Sequence, residues 1–372
     1  MAGPSPRKKI RLLVLYGGRS AEHDISCISA LHVVGAVDPD RYDLRLVGIT
    51  TGGDWVEATP AIGSSSGGSA DLRQAMPSPD SMSRPEKGVS ALERVNEVAA
   101  DGSDEAPLVV LPLLHGPMGE DGTIQGLLEL AGVPYCGPSV AGSAAAMDKG
   151  MAKDLLAAAG IPQARHIFLR EGDVDSSLVA RVERELGWPV FVKPANMGSS
   201  IGISRVKDPG GLHSALDVAS RYDEYLLIEE AVSGRELEIG VLGWPDLKAS
   251  VPGEIKPSHD FYDFEDKYLD GAAVLEIPAR LSEGVADEMA RLAVGACRAL
   301  RIDSMARVDF FYEEEGRGLL VNEINTIPGF TPISMYPRMW AASGVSYPEL
   351  VDVLVDQALR RASRRARFEI HR

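Results

Sequence analysis

Two short segments late in the chain carry the residues best suited to chemistry. Arg307 and Asp309 are separated by one residue within an apolar run, and Glu323 and Asn325 repeat that spacing in the next run. Side chains two positions apart on a strand share a face. Two carboxylates and an amide with no nearby His or Cys form a hard oxygen site, the kind that holds Mg²⁺ against nucleotide phosphates. The alternative is a solvated hairpin face with an Arg–Asp ion pair.

A second candidate is segment 193–202, where a strand end opens into a loop rich in Gly and Ser. Lys193 could meet a phosphate, and the loop hydroxyls and amides could cradle it. The segment lacks both the Walker A pattern and the Gly-x-Gly-x-x-Gly pattern, so an ordinary turn is the alternative. Glu229 and Glu230 close an apolar strand and could pair with an adenine amino group and ribose hydroxyls. The alternative for both is an exposed strand end.

Three further positions combine an ordinary structural role with a possible functional one. Gly329 follows Pro328 in a turn, yet a glycine there also lets its backbone amide approach a substrate oxygen. His115 lies in a Gly-rich loop in which Asp121 can cap the next helix. Glu22 begins the first helix, where the helix dipole favours a carboxylate in any case.

The first 150 residues or so predict a parallel α/β unit that positions some of these residues. Short apolar runs indicate strands at 11–16, 44–49 and 108–113, and helical spacing begins at Ala21. Ligands gather at the carboxyl ends of such strands, where the Gly17–Gly18 and His115–Gly116 turns lie. Residues 59–104 break the pattern and predict a surface insertion that the chemistry does not need.

The rest of the chain predicts a strand-rich unit that could act as a lid, followed by a long helix, a strand hairpin and a final amphipathic helix. The predicted strands are 190–193, 202–206, 226–230, 237–242, 306–312 and 318–325, and the predicted helices are 151–159, 282–300 and 347–361.

Composition narrows the class of protein. The chain has 372 residues, 45% of them hydrophobic, and a formal net charge of −16, which disfavours nucleic acid and anionic membrane partners. Its three cysteines, Cys27, Cys136 and Cys297, are too far apart in sequence to form a metal motif or a disulfide framework. No apolar run reaches the ~18 residues of a membrane span. We expect a cytoplasmic enzyme.

Seven segments, taken in order, resemble the D-alanine–D-alanine ligase family of ATP-grasp enzymes. They are 17–22, 115–126, 147–149, 192–202, 261–268, 307–309 and 322–331. The resemblance implies a mixed α/β ATP-grasp fold with a parallel N-terminal α/β domain. The implied domains are residues 1–147, 148–245 and 246–372, with ATP held between the last two.

The resemblance also implies the residues that bind ATP and metal. ATP would contact Lys149, Lys193, Ser200, Glu229, Glu230, Val232 and Glu236. Two Mg²⁺ or Mn²⁺ ions would be held by Asp309, Glu323 and Asn325. The Asn196–Met197 pair departs from the family's frequent Arg or Glu, which leaves the side-chain contacts of that loop open.

The substrate residues implied by the resemblance lie in several loops. Glu22 would bind the ammonium of the first D-alanine, supported by Ser199 and Tyr268. Arg307 and the Gly329 amide would stabilise the oxyanion. The remaining substrate contacts would be His115, Lys267, Ser334 and Met335.

The implied reaction joins two D-alanines through a D-alanyl phosphate, for peptidoglycan precursor synthesis, and we expect a homodimer. One alternative is a relative that makes D-alanyl-D-lactate or a D-serine-terminated product; Tyr268 argues against the lactate version, since relatives that prefer a hydroxyl nucleophile tend to carry His there. A nucleotide-binding regulatory module without catalysis is the other alternative. The complete predicted metal set argues against it.

Overall fold

A computed structural model describes residues 9–58, 91, 93, 95, 106–256, 274–331 and 333–369. Most of the predicted insertion at 59–104, and the loop containing Lys267 and Tyr268, lie outside these residues. The described chain divides into two compact units. Unit 1 is Met1–Val140, Gly243–Asp246 and Ile327–Arg372, and unit 2 is Ala141–Leu242 and Leu247–Thr326. The division into three domains is a different partition and stays a prediction.

Unit 1 is built on a four-stranded sheet in the order β3-β2-β1-β4. Strand β1 pairs in parallel with both β2 and β4, and β3 adds an antiparallel edge that the sequence pattern did not predict. The strands are β1 Ile10–Gly17, β2 Tyr42–Ile49, β3 Trp55–Ala58 and β4 Leu108–Pro112. The helices are α1 His23–Ala36, α2 Thr123–Leu130, α8 Met335–Ala342 and α9 Tyr347–Arg365. The parallel α/β prediction is therefore confirmed.

Apolar runs explain the placement of the unit 1 sheet. Strand β1 is buried almost throughout, and Leu13, Val47 and Val110 join one core cluster from three adjacent strands. Helix α9 begins with a capping box in which Ser346 accepts from the Glu349 amide and the Glu349 carboxylate accepts from the Ser346 amide. Both predicted turns, after β1 and after β4, lie at the carboxyl edge of the sheet.

Unit 2 contains two sheets, one with the order β11-β10-β9-β12-β13 and one with the order β5-β8-β6-β7. The strands are β5 His166–Arg170, β6 Val190–Pro194, β7 Ser204–Val206, β8 Tyr225–Glu230, β9 Arg235–Gly243, β10 Leu247–Lys256, β11 Val274–Glu276, β12 Ser304–Glu313 and β13 Gly318–Asn325. The helices are α3 Val140–Met147, α4 Lys149–Ala158, α5 Leu178–Glu185, α6 Leu212–Ala219 and α7 Val285–Ala299.

Each sheet of unit 2 has its own apolar core. In the five-stranded sheet, Ile239, Val308 and Ile324 are buried in a cluster that also contains Met289 of α7. In the four-stranded sheet, Val192 and Ile228 are buried with residues of α5 and α6. Because each sheet buries one face under helices, the polar residues of its strands are left to face the other way.

Candidate active site

The β12–β13 hairpin aligns the four residues singled out by their spacing. Arg307 pairs with Asn325, and Asp309 pairs with Glu323, in antiparallel register. The alternating Val308 is completely buried, as the strand period requires. Arg307 donates from Nε and Nη2 to the two carboxylate oxygens of Asp309, each at 2.7 Å, and the Asn325 amide donates to Asp309 Oδ2 at 3.0 Å. The predicted convergence is present.

The Arg–Asp ion pair proposed as the alternative is therefore also real, but the face that carries it is not a solvated one. Asp309 is only 9% exposed, and Arg307 lies 3.1 Å from Glu238, which is buried as well. Burial alone would lower the pKa of Arg307, yet the carboxylates of Asp309 and Glu238 raise it well above its ordinary value. A cation held this firmly keeps its charge at any pH at which the protein is folded.

The hairpin forms one wall of a cleft of about 730 Å³ within unit 2. That volume suits a small-molecule or cofactor site. All of the predicted ATP residues line the cleft, namely Lys149, Lys193, Ser200, Glu229, Glu230, Val232 and Glu236. The predicted metal residues Asp309 and Glu323 also line it, whereas Asn325 does not. Ser199 and Arg307, predicted for the substrate and the oxyanion, lie there as well. Residues predicted from separate motifs are thus brought to one place.

At the cleft, the buried carboxylate of Glu229 joins Lys153 and Lys193. Glu229 Oε2 lies 2.5 Å from Lys193 Nζ, and Glu229 Oε1 forms an ion pair with Lys153. Burial would raise the pKa of Glu229, but the two ammonium groups outweigh it and lower the pKa to about 2. Likewise, burial would lower the pKa of Lys193, and the Glu229 carboxylate raises it instead. Glu229 therefore holds Lys193 at the edge of the cleft.

Lys149 anchors the start of the Gly/Ser loop through two of its carbonyls. Its ammonium donates to the carbonyl of Met197 at 2.5 Å and to that of Ala195 at 3.4 Å. Burial lowers the pKa of Lys149, while the carboxylate of Glu323 acts in the opposite sense. The Lys149 side chain begins at the first residue of α4, which Asp148 caps by accepting from the Met151 amide.

Glu230 is engaged by protein partners. Its carboxylate accepts from the backbone and side chain of Arg165, each at 2.8 Å, and from Arg317 at 2.5 Å. Burial would raise the pKa of Glu230, and these two arginines lower it. The alternative of an exposed strand end is wrong for both Glu229 and Glu230, because both are buried.

The predicted residues of unit 1 lie around the Gly116 turn and the start of α8. Glu22 occupies the N-cap position of α1 but makes no side-chain cap bond. A side chain at Gly116 would come within 3.0 Å of the Glu22 carboxylate, and the Gly116 amide donates to Glu120 at 2.7 Å. His115 Nδ1 donates to the Ile327 carbonyl at 3.0 Å. Two carboxylates at one turn form an acidic environment suited to an ammonium group.

The N-cap position of α2 is Gly122, and Asp121 just before it accepts through Oδ1 from the first helical amide, that of Thr123, at 2.9 Å. Asp121 thus satisfies one of the free amides at the start of the helix, as expected. Farther along, the hydroxyl of Ser334 accepts from the Thr331 amide at 3.1 Å. That hydroxyl also lies 2.8 Å from where a Cβ on Gly329 would be, so a side chain at position 329 would displace the Ser334 hydroxyl. Met335 begins helix α8.

Two family models match this sequence. The model described as "D-ala D-ala ligase N-terminus" matches residues 11–138, and the one described as "D-ala D-ala ligase C-terminus" matches residues 155–356. The chain belongs to the D-alanine–D-alanine ligase family. The resemblance drawn from seven sequence segments is thereby confirmed, and so is the mixed α/β ATP-grasp fold that it implied.

Similar proteins span nearly the whole chain. The D-alanine–D-alanine ligase of Mycobacterium sp. (strain KMS) is 48% identical over 371 residues, covering 96% of this chain and 98% of that relative. The solved D-alanine–D-alanine ligase from Coxiella burnetii is 34% identical with a TM-score of 0.79, covering 96% of each chain. The VanG D-Ala:D-Ser ligase from Enterococcus faecalis is 30% identical with a TM-score of 0.79, covering 94% of this chain and 100% of that one.

Several contacts of this family member were missed by sequence reasoning. Lys153 lies four residues after Lys149, and positions four apart share a helix face, so helical spacing offered a signal for it. Glu238 lies two residues after the predicted Glu236 on β9, again on one face. No pattern in the sequence pointed to Arg317, which lies in the hairpin turn.

The described residues contain no group of three His, Cys, Asp or Glu side chains placed to hold a metal ion. The predicted set has two carboxylates and one amide, so a cation there would need further oxygens from its ligand. Lys267 and Tyr268, predicted for substrate, lie outside the described residues. Among the helices that the structure describes, none has the length and apolar character of a membrane span.

Proposed function

We propose that this protein joins two molecules of D-alanine to D-alanyl-D-alanine, using ATP and releasing ADP and phosphate, for peptidoglycan precursor synthesis. The single observation that carries the proposal is the polar cleft of unit 2. There, Lys149 and Lys193 line the same cleft as Arg307, Asp309 and Glu323 of the paired strands. Cations and hard oxygen donors facing one another suit the phosphates of a nucleotide and its metal ions.

The ATP residues act mainly by placing positive charge. A carboxylate is a poor electrophile, so the first D-alanine must accept the γ-phosphoryl group before an amine can attack it. Lys193 is held in place by Glu229, and Lys149 by loop carbonyls, so both charges are ordered before the nucleotide binds. Ordered charges need little rearrangement as the transferred group moves. Val232 and Glu236 are assigned to the adenine and ribose.

The donor set on the hairpin fits two Mg²⁺ or Mn²⁺ ions in its chemistry. Asp309 and Glu323 supply carboxylates from facing positions, and Asn325 bonds Asp309 through its amide nitrogen, so its amide oxygen can serve as a ligand. When bound, the metal would neutralise charge on the phosphates. Arg307 would have to share Asp309 with it, because its guanidinium holds both oxygens of that carboxylate.

The substrate residues are assigned by the chemistry that they offer. Glu22 binds the ammonium of the first D-alanine, supported by Ser199 and Tyr268, and His115 lies beside its carboxylate. The second D-alanine meets Ser334 and Met335, and Lys267 supports substrate binding. The amine of the second D-alanine attacks the carbonyl carbon of the D-alanyl phosphate, and the carbonyl oxygen gains negative charge. Arg307 and the Gly329 amide stabilise that charge. Phosphate then leaves, and no protein nucleophile is needed.

Product identification tests this assignment. We expect the purified protein, given ATP, Mg²⁺ and equal amounts of D-alanine, D-serine and D-lactate, to form mainly D-alanyl-D-alanine by mass spectrometry. D-Serine is included because one similar structure is named a D-Ala:D-Ser ligase. A preference for D-serine or D-lactate as the second substrate would contradict the substrate assignment.

The metal assignment has a separate test. Glu323→Ala should abolish turnover while the far-ultraviolet circular dichroism and the unfolding temperature stay close to those of the unsubstituted protein. Glu315→Ala, an exposed carboxylate in the turn of the same hairpin, is the control. Full activity in Glu323→Ala would remove Glu323 from the metal site and leave the ligase assignment to the product experiment.

We also propose a homodimer in the cytoplasm, acting on small molecules and not on nucleic acid or membrane. No disulfide links Cys27, Cys136 or Cys297, all of which the structure describes, and this supports a reducing compartment. The net charge of −16 supports the exclusion of anionic polymers. Sedimentation velocity measures the oligomeric state directly, and a monomer at micromolar concentration would contradict the dimer.

A further inference from the structure

A single short turn holds both ends of the Gly/Ser loop. At the start of the loop, the Asp223 carboxylate accepts from the Asn196 backbone amide and from the Asn196 side-chain amide, each at 2.8 Å. At its end, the ring of Tyr222 packs on Gly202, where an added Cβ would come within 2.7 Å of the ring. Asp223 also accepts from the Tyr225 amide at 3.0 Å, which ties the turn to the start of β8.

Between these two anchors, the backbone adopts an unfavourable conformation. Ser199 has φ of 50° and Ser200 has φ of 59°, both in the left-handed region. In that region the Cβ of a non-glycine residue crowds its own carbonyl oxygen, so two successive serines persist there only when the surroundings hold them. Both serines line the cleft of unit 2. The strained part of the loop is thus the part that faces the nucleotide.

We propose that Asp223 and Tyr222 are positioning residues for ATP. By fixing both ends of the loop, they keep the amides and hydroxyls of Ser199 and Ser200 directed into the cleft before the nucleotide arrives. Neither residue lines the cleft, so each acts through the loop. The proposal rests on the proposed function only in naming the nucleotide. The ordering of the loop is a property of the protein alone.

Asn196, the residue that departs from the family pattern, contributes its side chain to the anchor at Asp223. Asn196 donates twice to one carboxylate oxygen, through its main chain and its side chain. The neighbouring Met197 contributes its carbonyl, which accepts from Lys149 at 2.5 Å. This end of the loop therefore has two anchors, and loss of Asp223 should weaken the positioning without abolishing it.

Asp223→Ala is the direct test. If the anchored conformer becomes a minor one, the apparent affinity falls in proportion to its population, so we expect the KM for ATP to rise about tenfold. The KM for D-alanine, to whose first site Ser199 is also assigned, should rise less than the KM for ATP, and kcat should change less than twofold. Asp217→Ala removes an exposed carboxylate from nearby helix α6 and is the matched control. Asp223→Asn keeps one oxygen acceptor and should fall between the two.

Two further measurements separate positioning from general damage and from failure of the proposed function. Amide hydrogen exchange at residues 198–203, without ligand, should be at least tenfold faster in Asp223→Ala than in Asp217→Ala. Tyr222→Ala, which removes a half-exposed ring, should raise the exchange rate at the same residues. Unchanged exchange in both Asp223→Ala and Tyr222→Ala, or an equal loss of affinity in Asp217→Ala, would overturn the proposal. If the unsubstituted protein made no dipeptide, the proposed function would fail while the exchange result still decided this one.

Discussion

Replacing Lys153 by Met would remove one of the two cations that hold Glu229. Lys153 is 3% exposed and forms an ion pair with Glu229 Oε1, while Lys193 is paired with the other carboxylate oxygen. Methionine is close to lysine in length and is unbranched, so it should fill the space left by the aliphatic stem. The substitution therefore deletes a charge and leaves the packing nearly intact.

The expected cost follows from the pKa of Glu229. A fall of this pKa from 4.5 to about 2 corresponds to about 3 kcal/mol of stability at neutral pH. Lys153 and Lys193 both produce that fall against the effect of burial. Because Lys193 remains in the variant, we expect Lys153→Met to lower the free energy of unfolding by roughly 2 kcal/mol, less than the ~3–5 kcal/mol typical of a buried charge left with no partner.

The effect should also depend on pH in a definite direction. The pKa of Glu229 is lower in the folded protein than in the unfolded one, so its stabilising contribution is complete above about pH 4.5 and is lost as the pH falls towards 2. In Lys153→Met the pKa of Glu229 moves back towards 4.5. The difference in stability between the two proteins should therefore be largest at neutral pH and shrink below pH 4.5.

Urea unfolding followed by circular dichroism at pH 7 and at pH 4 measures this difference. Lys248→Met removes an exposed lysine from β10 and serves as the control, with an expected change below about 0.5 kcal/mol. An unfolding midpoint of Lys153→Met equal to that of Lys248→Met at pH 7 would refute the reasoning. So would a difference that grows as the pH falls.

Two other substitutions test the geometry. Lysine in Arg307→Lys cannot form the two parallel hydrogen bonds that Arg307 donates to Asp309, so kcat should fall about 10²-fold or more. The measurement is phosphate release, and activity within threefold of the unsubstituted protein would contradict a role for Arg307 at the oxyanion. Gly17 has φ of 84° and an added Cβ would lie 2.3 Å from the Ile49 carbonyl oxygen, so Gly17→Ala should lower the unfolding temperature by several degrees. Gly126→Ala, on open helix surface, should leave that temperature unchanged or raise it slightly, and equal effects of the two would contradict the steric argument.

The local elements could be predicted because their signals are short in range. The hairpin residues Arg307, Asp309, Glu323 and Asn325 share one sheet face as the period of two required, and the turn between their strands was visible in the sequence. Parallel pairing of β1 with β2 followed from the helix predicted between them. Strands β3, β5, β10 and β11 were not predicted. Strands β3 and β11, with four and three residues, carry too little pattern.

Amino-acid types and spacing alone were enough to determine the family, most of the strands and helices that carry the candidate site, and the residues that face one another across a tight hairpin. Only the tertiary structure decided which side chains pair with the buried carboxylates. Glu229 is 76 residues from Lys153 and 36 from Lys193, and Asp223 is 27 from Asn196. No periodic pattern relates residues at such separations, since their contact depends on how sheets and helices pack, and a buried carboxylate must be paired once that packing excludes water.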